Sequence, residues 1–185
     1  MTAWILVRHG ATDWNRDGRY QGQADPPLNA EGRAQAARLA DALAARPIEA
    51  VYSSDLQRAR HTAEVIAGVH GLAVHLDQRL REVNQGAWEG MLVADIAAGY
   101  PAEWRALQED PLNARAPGGE SAAEVAERAM ASLREIAGRH PLGPVIVVSH
   151  GLTLGCVVCS LQGLPLAWAR QKVPLNGSAW EQTWP

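Results

Sequence analysis

The chain has 185 residues, of which 47% are hydrophobic, and a formal net charge of -3 at pH 7. This length and hydrophobic content predict one globular domain with a sizeable core and exclude a disordered chain. The slightly acidic balance argues against a nucleic-acid-binding protein, which usually carries a basic excess. No segment approaches the roughly 18 consecutive apolar residues of a membrane span, and the short N-terminal apolar stretch lacks the leading positive charge of a signal peptide.

Strands and helices are predicted to alternate along the chain. The strands are identified from apolar runs, and the helices from cap residues and from apolar residues at helical spacing. The predicted elements, in chain order, are a strand at 3–8, a helix from Asn29 to about Arg46, a strand at 49–53, a helix over about 55–67 capped by Ser53 or Ser54, a strand at 73–76, a helix that begins with the capping box Ser121–Glu124, a strand at 144–149, a helix after His150 and a last strand near 178–184.

This alternation predicts an α/β fold, with a mostly parallel central sheet between two layers of helices. Three of the strands are short continuous apolar runs, which is typical of strands covered on both faces. The segment 86–120 breaks the rhythm with Gly, Trp, Pro and short helical pieces. We therefore expect a single domain over 1–185, in which about 86–120 forms an excursion over one end of the sheet. This excursion is expected to lie over the active site and to supply the pocket walls that determine the substrate.

Two predicted strands end in histidine followed by glycine, within LVRHG and VVSHG. If these strands are parallel neighbours, His9 and His150 emerge side by side at the sheet edge where α/β proteins bind ligands. A third strand, AVYSS, ends at the same edge and leads into a helix that carries Arg58 and Arg60. Three strand ends are therefore expected to converge on one site.

The residue types at this site suit phosphate. Arg8 keeps its charge, guanidinium groups bind phosphate oxygens in pairs, and a helix N-terminus before Arg58 adds N–H donors. Thr12 and Asn15 add neutral donors. Nearby arginines favour a neutral His9, which could attack phosphorus through one ring nitrogen while the other bonds a backbone carbonyl. The product would be a phosphohistidine, a covalent intermediate that divides one difficult step into two.

The leaving alkoxide needs a proton, and Glu82 in LREVNQGAWEG is the best carboxyl group for that task. It would have to be protonated when the ester arrives, and it could later accept the proton of the attacking water. Its rivals are Glu89 and Asp55. Arg60 is in the same way the rival of Arg58 as a phosphate ligand.

Four linked motifs, RHGATDWN (8–15), SSDLQRARHTA (53–63), LREVNQGAWEG (80–90) and VVSHG (147–151), resemble the histidine phosphatase superfamily, whose best-known branch is the cofactor-dependent phosphoglycerate mutases. QGQADPPLNAEGRAQA (21–36) resembles the next segment of that family. The resemblance implies an α/β/α sandwich and no metal or cofactor. The roles that it implies are phosphorylated nucleophile for His9, acid and base for Glu82, phosphoryl ligand for Arg8, Arg58 and His150 with help from Asn15, and ligand contact for Gln21, Gly22, Gly151 and Leu152.

Three functions are compatible with these motifs. The first is a phosphomonoesterase acting on small phosphorylated metabolites, similar to α-ribazole phosphatase and broad-specificity phosphatases. The second is a mutase, which would need additional basic residues, whereas 86–120 holds only Arg105 and Arg115. The third is a phosphate-binding module without catalysis, which the combined presence of His9, His150 and Glu82 disfavours. We favour hydrolysis.

Several features have two interpretations. Cys156 and Cys159 form a C-x-x-C pair, which is either a redox or metal pair or, as we favour, two small apolar residues in a buried helix. A reducing cytoplasm fits them. Trp88 and Trp104 are either core residues or walls of the pocket. The last strand carries Trp180 and Trp184 on one face, which a helix or the second subunit of a homodimer could cover.

Overall fold

A computed structural model describes residues 2–183. Its five strands are β1 (Ala3–Arg8), β2 (Ala50–Ser53), β3 (Val74–Leu76), β4 (Pro144–Ser149) and β5 (Ala179–Thr183). They form one sheet in the order β3-β2-β4-β1-β5, in which the first four pair in parallel and β5 runs antiparallel to β1. The predicted α/β fold with a mostly parallel sheet is confirmed.

Helices cover both faces of this sheet. They are α1 (Asp13–Asp17), α2 (Ala30–Leu43), α3 (Gln57–His70), α4 (Val93–Gly99), α5 (Pro101–Glu109), α6 (Ala122–Arg139) and α7 (Gly151–Leu161), with 3₁₀ helices at Gln78–Leu80, Gly86–Trp88 and Leu166–Lys172. Strand residues pack with α6 and α7 in one buried cluster and with α2 and α3 in another. The arrangement is the three-layer sandwich that the sequence predicts.

Strand β1 contributes to both clusters because successive strand side chains point to opposite faces. Trp4 and Leu6 join the cluster with α6 and α7, whereas Ile5 and Val7 join the one with α2 and α3. All four are at most 2% exposed. Full burial of such a side chain stabilises the fold by about 1.5–3 kcal/mol, so β1 anchors the residues that follow it.

The predicted caps are confirmed at two helices and wrong at one. Asn29 accepts a hydrogen bond from the Gly32 N–H at the start of α2, and Ser121 forms the capping box of α6. Helix α2 ends at Leu43 rather than near Arg46. Helix α3 begins at Gln57, two residues later than predicted, without a serine cap.

The cap of α3 comes from a distant loop. The Gln57 N–H donates to Asp25 Oδ1 at 2.7 Å, so a carboxylate distant in sequence satisfies the free N–H that a serine was expected to bind. Negative charge is favourable at a helix N-terminus. Capping by Asp25 also ties the 21–25 loop to the helix that carries Arg58.

The excursion has a small core of its own. Trp88 is fully buried against Ile96, Leu107 and Ala116, and Trp104 packs on this cluster. Both tryptophans therefore belong to a core beneath the surface rather than to a pocket wall. The partly buried Tyr20 also packs against this cluster around Trp88, and it connects the excursion to the loop after β1.

The C-x-x-C pair lies inside α7. Cys156 and Cys159 are buried and free of disulfide bonds, and burial raises the pKa of the Cys156 thiol to about 12. A thiol that stays protonated is a poor nucleophile and a poor metal ligand. The interpretation as apolar helix residues is confirmed.

Strand β5 forms one edge of the sheet. Trp180 is half-buried on this strand, and Trp184 lies outside the described residues. The predicted homodimer stays a prediction. Across 2–183, the structure has no helix with both the length and the apolar character needed to cross a membrane.

Candidate active site

The ends of β1 and β4 bring the two strand-terminal histidines together. The strands pair in parallel up to Arg8 opposite Ser149, and the His9 N–H donates to the Ser149 carbonyl at 3.1 Å. The ring centroids of His9 and His150 lie 5.1 Å apart. This is the juxtaposition that the strand pattern predicts.

The imidazole of His9 is held in one orientation. Its Nδ1 lies 2.7 Å from the carbonyl oxygen of Gly10, which can only accept, so Nδ1 donates the hydrogen bond. In the neutral ring, Nε2 then carries a lone pair. The Gly10 N–H donates to Thr62 Oγ1 on α3, which secures the loop. The tautomer is the one a nucleophile requires.

The glycine after His9 is required by packing. A side chain on Gly10 would place its Cβ 2.3 Å from the carbonyl oxygen of Gly32, near the start of α2. Backbone therefore contacts backbone where the His9 loop crosses α2, and any larger residue would move the loop. This explains the glycine directly behind His9.

Both histidines are buried and electrically neutral in this setting. Burial is the largest cause that holds the pKa of His9 well below its usual range, and the charges of Arg58 and Arg8 lower it further. His150 has its pKa lowered by burial first and then by Arg58, His9 and Arg8. A neutral His9 is available as a nucleophile at mildly acidic pH as well as at pH 7.

These low pKa values predict a pH-dependent stability. An unfolded histidine binds its proton near pH 6.5, whereas the folded His9 and His150 bind theirs only at lower pH. The unfolded state therefore gains protons first, and the free energy of unfolding should fall as the pH drops below about 6.5, by up to about 1.4 kcal/mol per pH unit for each histidine.

Urea unfolding in phosphate-free buffer at pH 7.5 and 5.5 measures this loss. His150→Asn should show a smaller loss than the unaltered protein, because one buried titrating group is removed. An identical loss in both proteins would contradict the burial of a neutral His150.

Two guanidinium groups flank the histidines. Arg58 is 1% exposed and donates from Nη1 to the Ala24 carbonyl at 2.7 Å and from Nη2 to the Gly22 carbonyl at 2.8 Å. Arg8 donates from Nη1 to the carbonyl of Pro174. Burial lowers the pKa of Arg58 to about 10, so it remains charged at neutral pH.

Four buried nitrogens of this group lack an acceptor. Arg8 Nε, Arg58 Nε and both ring nitrogens of His150 have no hydrogen-bond partner in the described chain. Buried polar groups without partners are costly, and a cluster of them indicates a ligand. An oxyanion between these groups would satisfy them.

Glu82 lies at the N-terminus of α7, beside this cluster. Its Oε1 accepts from the Val83 N–H at 3.0 Å and the Thr153 N–H at 3.2 Å, and its Oε2 accepts from the Leu152 N–H at 3.1 Å. His150, the residue before α7, makes no side-chain cap. The carboxyl of Glu82 therefore caps α7 and is fixed in position by it.

Asn15 has a structural role that the sequence interpretation missed. Its Oδ1 accepts from the Thr12 N–H at 3.1 Å, and the two residues form the capping box of α1. Asn176 Nδ2 also donates to this oxygen, at 3.3 Å. Thr12 Oγ1 lies 3.0 Å from Gln21 Oε1 and 3.1 Å from Asn15 Oδ1, so its hydroxyl donates within this network. The described side-chain contacts of Asn15 use its acceptor oxygen and leave the amide donor that the sequence assigns to phosphate out of the network.

The groups surround a cavity of about 190 Å³. This is small beside the roughly 300–1,000 Å³ of a site for a drug-sized ligand. Most of the predicted site residues line it, and His150 lies just outside the lining, against His9. The lining residues are Arg8, His9, Asn15, Arg19, Tyr20, Gln21, Gly22, Arg58, Glu82, Val83, Gln85, Gly151, Leu152, Arg170 and Val173.

Several of these were not predicted. Arg19 and Tyr20 directly precede the 21–36 segment, and Val83 and Gln85 lie within the 80–90 motif. Arg170 and Val173 come from the 3₁₀ helix and turn after α7, where no motif marks them. Within 2–183, none of the lining residues comes from 86–120. That segment supports the wall from behind, since the ring of Trp88 lies 6.2 Å from that of Tyr20.

The rival residues are occupied elsewhere. Arg60 lies 3.5 Å from Glu64 in an exposed pair on α3, and Asp55 forms a bidentate pair with Arg81. Glu89 accepts from the N–H groups of Gln23 and Gln85, so it supports the wall of the cavity.

Similar proteins carry phosphatase and mutase names. "Phosphoserine phosphatase 1" of Hydrogenobacter thermophilus is 40% identical over 167 residues, which cover 90% of this chain and 79% of that protein. "Probable phosphoglycerate mutase GpmB" of Escherichia fergusonii is 42% identical over 175 residues, which cover 92% and 79%.

Solved structures with phosphatase names superpose closely on this chain. A mycobacterial glucosyl-3-phosphoglycerate phosphatase in complex with VO3 superposes with a TM-score of 0.89 at 34% identity, covering 97% of this chain and 90% of the other. The α-ribazole phosphatase of Shigella flexneri also gives a TM-score of 0.89, at 28% identity, covering 97% and 89%. The sequence profile of the histidine phosphatase superfamily (branch 1) matches residues 4–180, and the chain therefore belongs to that superfamily.

Proposed function

We propose that this protein hydrolyses small phosphomonoesters through a phosphohistidine formed on His9. One observation carries the proposal: Arg8 Nε, Arg58 Nε and the His150 nitrogens are buried without acceptors around the ring of His9. A phosphoryl group offers them three acceptor oxygens. Each positive group about 4 Å from a phosphate charge contributes roughly 4 kcal/mol at an effective dielectric constant of 20.

The first step forms the bond between His9 Nε2 and phosphorus and breaks the ester P–O bond. The departing oxygen takes a proton from Glu82 and leaves as the alcohol. In the second step, Glu82 accepts a proton from water, the water oxygen bonds to phosphorus, and the P–N bond breaks. Inorganic phosphate is released and His9 returns to its neutral form. Arg8 and Arg58 stabilise the negative charge through both steps.

The hydrogen bonds of Glu82 support an assignment of the transferred proton to one of its two oxygens. Two N–H groups bond to Oε1, and one bonds to Oε2. The hydroxyl of Thr153 lies 2.8 Å from the Arg81 carbonyl and 3.1 Å from Oε1. Because Oε2 has the fewest donors around it, we assign the proton to Oε2. Thr153 orients the carboxyl group for this task.

A mutase is the second candidate, because one similar protein is named as a probable phosphoglycerate mutase. Such an enzyme returns the phosphoryl group to its substrate and must keep water away from the phosphohistidine. The two basic residues of 86–120 do not provide the additional positive charge that a mutase needs at the cavity. Arg105 is exposed, and Arg115 pairs with Glu124 at 3.0 Å. Hydrolysis is therefore the activity that we propose.

Hydrolysis of p-nitrophenyl phosphate and of a panel of phosphomonoesters tests the proposal, with mutase activity measured in parallel on phosphoglycerates and a bisphosphoglycerate primer. Release of inorganic phosphate with steady turnover is the expected result. Isomerisation faster than phosphate release would indicate the mutase. No turnover between pH 5 and 8, with phosphate still bound, would indicate a binding module.

The partner that this function requires is a small phosphomonoester. The proposed steps assign no role to a metal or cofactor. Cytoplasmic location is part of the same proposal, supported by the two free thiols of α7.

A further inference from the structure

The 3₁₀ helix Leu166–Lys172 is held against the N-terminal half of α7 by two glycines. A Cβ on Gly155 would lie 2.1 Å from the carbonyl oxygen of Ala169, and one on Gly151 would lie 3.0 Å from Val173 Cγ1. Only a helix face without side chains admits the chain this closely. The residues between Ala169 and Val173 are therefore fixed beside the N-terminal end of α7, which borders the cavity that Arg8, His9 and Arg58 line.

Arg170 lies in this fixed stretch and lines the active-site cavity. Its Nε is buried without a hydrogen-bond partner, and the described residues give its guanidinium no ion pair with a carboxylate. Other partly buried arginines differ: Arg81 pairs with Asp55 at 2.5 Å, and Arg128 pairs with Glu120 at 2.9 Å. Arg8 and Arg58, the residues placed on the phosphoryl group, also have a buried Nε without a hydrogen-bond partner. Arg60 has one too, but it lies outside the cavity lining and its Nε is 3.5 Å from Glu64.

The charges in the cavity exceed what one phosphoryl group requires. Arg8 and Arg58 balance the two negative charges of a phosphomonoester, and Glu82 is the only carboxylate among the described lining residues. Arg170 is a further cation, and so is Arg19, which donates from Nη1 to the Gly90 carbonyl at 2.7 Å. Arg170 is half-buried with its Nε unpartnered, whereas Arg19 is exposed. A second negative charge on the ligand would give the buried part of Arg170 the partner that the described residues do not supply.

We propose that Arg170 is a specificity-determining residue that binds a second anionic group of the substrate, with Arg19 as an additional cation at the same cavity. The preferred substrates are then phosphomonoesters that also carry a carboxylate or a second phosphate. The inference rests on the proposed phosphatase function and adds a substrate class to it. It places the source of selectivity after α7 rather than in 86–120.

Three esters of one carbon skeleton test this: propyl phosphate, 3-phosphonooxypropanoate and propane-1,3-diol bisphosphate. The first has no second anion, the second has a carboxylate, and the third has a second phosphate. The unaltered protein should show a kcat/KM roughly 10- to 100-fold higher for at least one anionic ester, which is the range of one hydrogen bond to a charged group. The preferred ester identifies the anion.

Arg170→Ala should bring the ratio of kcat/KM for the preferred anionic ester to kcat/KM for propyl phosphate down to about one, whatever the change that the two values share. Arg170→Lys should restore part of the preference, because the charge returns without the planar fork. Arg38→Ala on α2, an exposed arginine paired with Glu31, is the matched control and should leave the preference intact.

The inference is overturned if the unaltered protein does not favour either anionic ester, if Arg170→Ala keeps the preference, or if it lowers kcat/KM equally for all three esters. Turnover of p-nitrophenyl phosphate in each case would show that the phosphatase function stands while the assignment of Arg170 fails. Arg170→Gln, which keeps the length of the side chain, gives the same comparison if the alanine variant unfolds.

Discussion

His9→Ala is expected to lower kcat/KM for any phosphomonoester by at least about 10⁴-fold. Removal of a catalytic nucleophile typically costs this much or more, because the remaining groups can bind the phosphoryl group but cannot form the intermediate. The fold should persist, since within 2–183 the side chain of His9 hydrogen-bonds only to the adjacent Gly10 carbonyl. Steady-state assays with p-nitrophenyl phosphate measure the loss.

Phosphate binding separates this loss from general damage to the site. Arg8, Arg58 and His150 remain in His9→Ala, so titration calorimetry should still detect inorganic phosphate, with reduced affinity. His61→Ala on α3, outside the cavity, is the control and should keep full activity. Turnover near that of the unaltered protein in His9→Ala would show that the nucleophile is another residue.

Glu82→Gln is expected to lower kcat/KM roughly 10²- to 10⁴-fold for alkyl phosphates, the usual contribution of a general acid or base. The amide cannot supply a proton to the departing oxygen. For p-nitrophenyl phosphate the loss in the first step should be smaller, because nitrophenolate leaves as a stable anion. The measurement is kcat/KM for both ester classes, in Glu82→Gln and in the unaltered protein.

Asp55→Asn is the comparison that addresses the rival carboxyl. Its ion pair with Arg81 assigns it a structural role, so this variant should not distinguish alkyl from aryl esters. A loss in Glu82→Gln that is the same for both classes would argue that Glu82 only caps α7. A dependence on the leaving group in Asp55→Asn would transfer the acid role to Asp55.

The sequence was most informative where local pattern and tertiary structure agree. The run Trp4–Val7 predicts a strand buried on both faces, and parallel pairing with 145–148 brings His9 beside His150. The position of Glu82 is a different case. Its motif singles it out, but nothing in the sequence indicates that its carboxyl caps α7.

The errors and omissions arise from long-range contacts. Asp25 caps α3 although Ser54 is nearer in sequence, because a cap depends on which acceptor the fold brings to the helix N-terminus. Arg170 reaches the cavity because the backbone of Ala169 packs directly on Gly155, and no local sequence pattern predicts this contact. The cavity walls were expected in 86–120, but no described lining residue comes from that segment. Composition marks the segment as an excursion and does not show which part of the fold it contacts.

Rapid acid or base quenching of the enzyme during turnover of a ³²P-labelled ester tests the central claim most directly. The proposed reaction predicts a phosphoprotein that is labile in acid, stable in base and absent from His9→Ala, with the label on a peptide containing His9. A label that survives acid, or that maps to a residue other than His9, would contradict it.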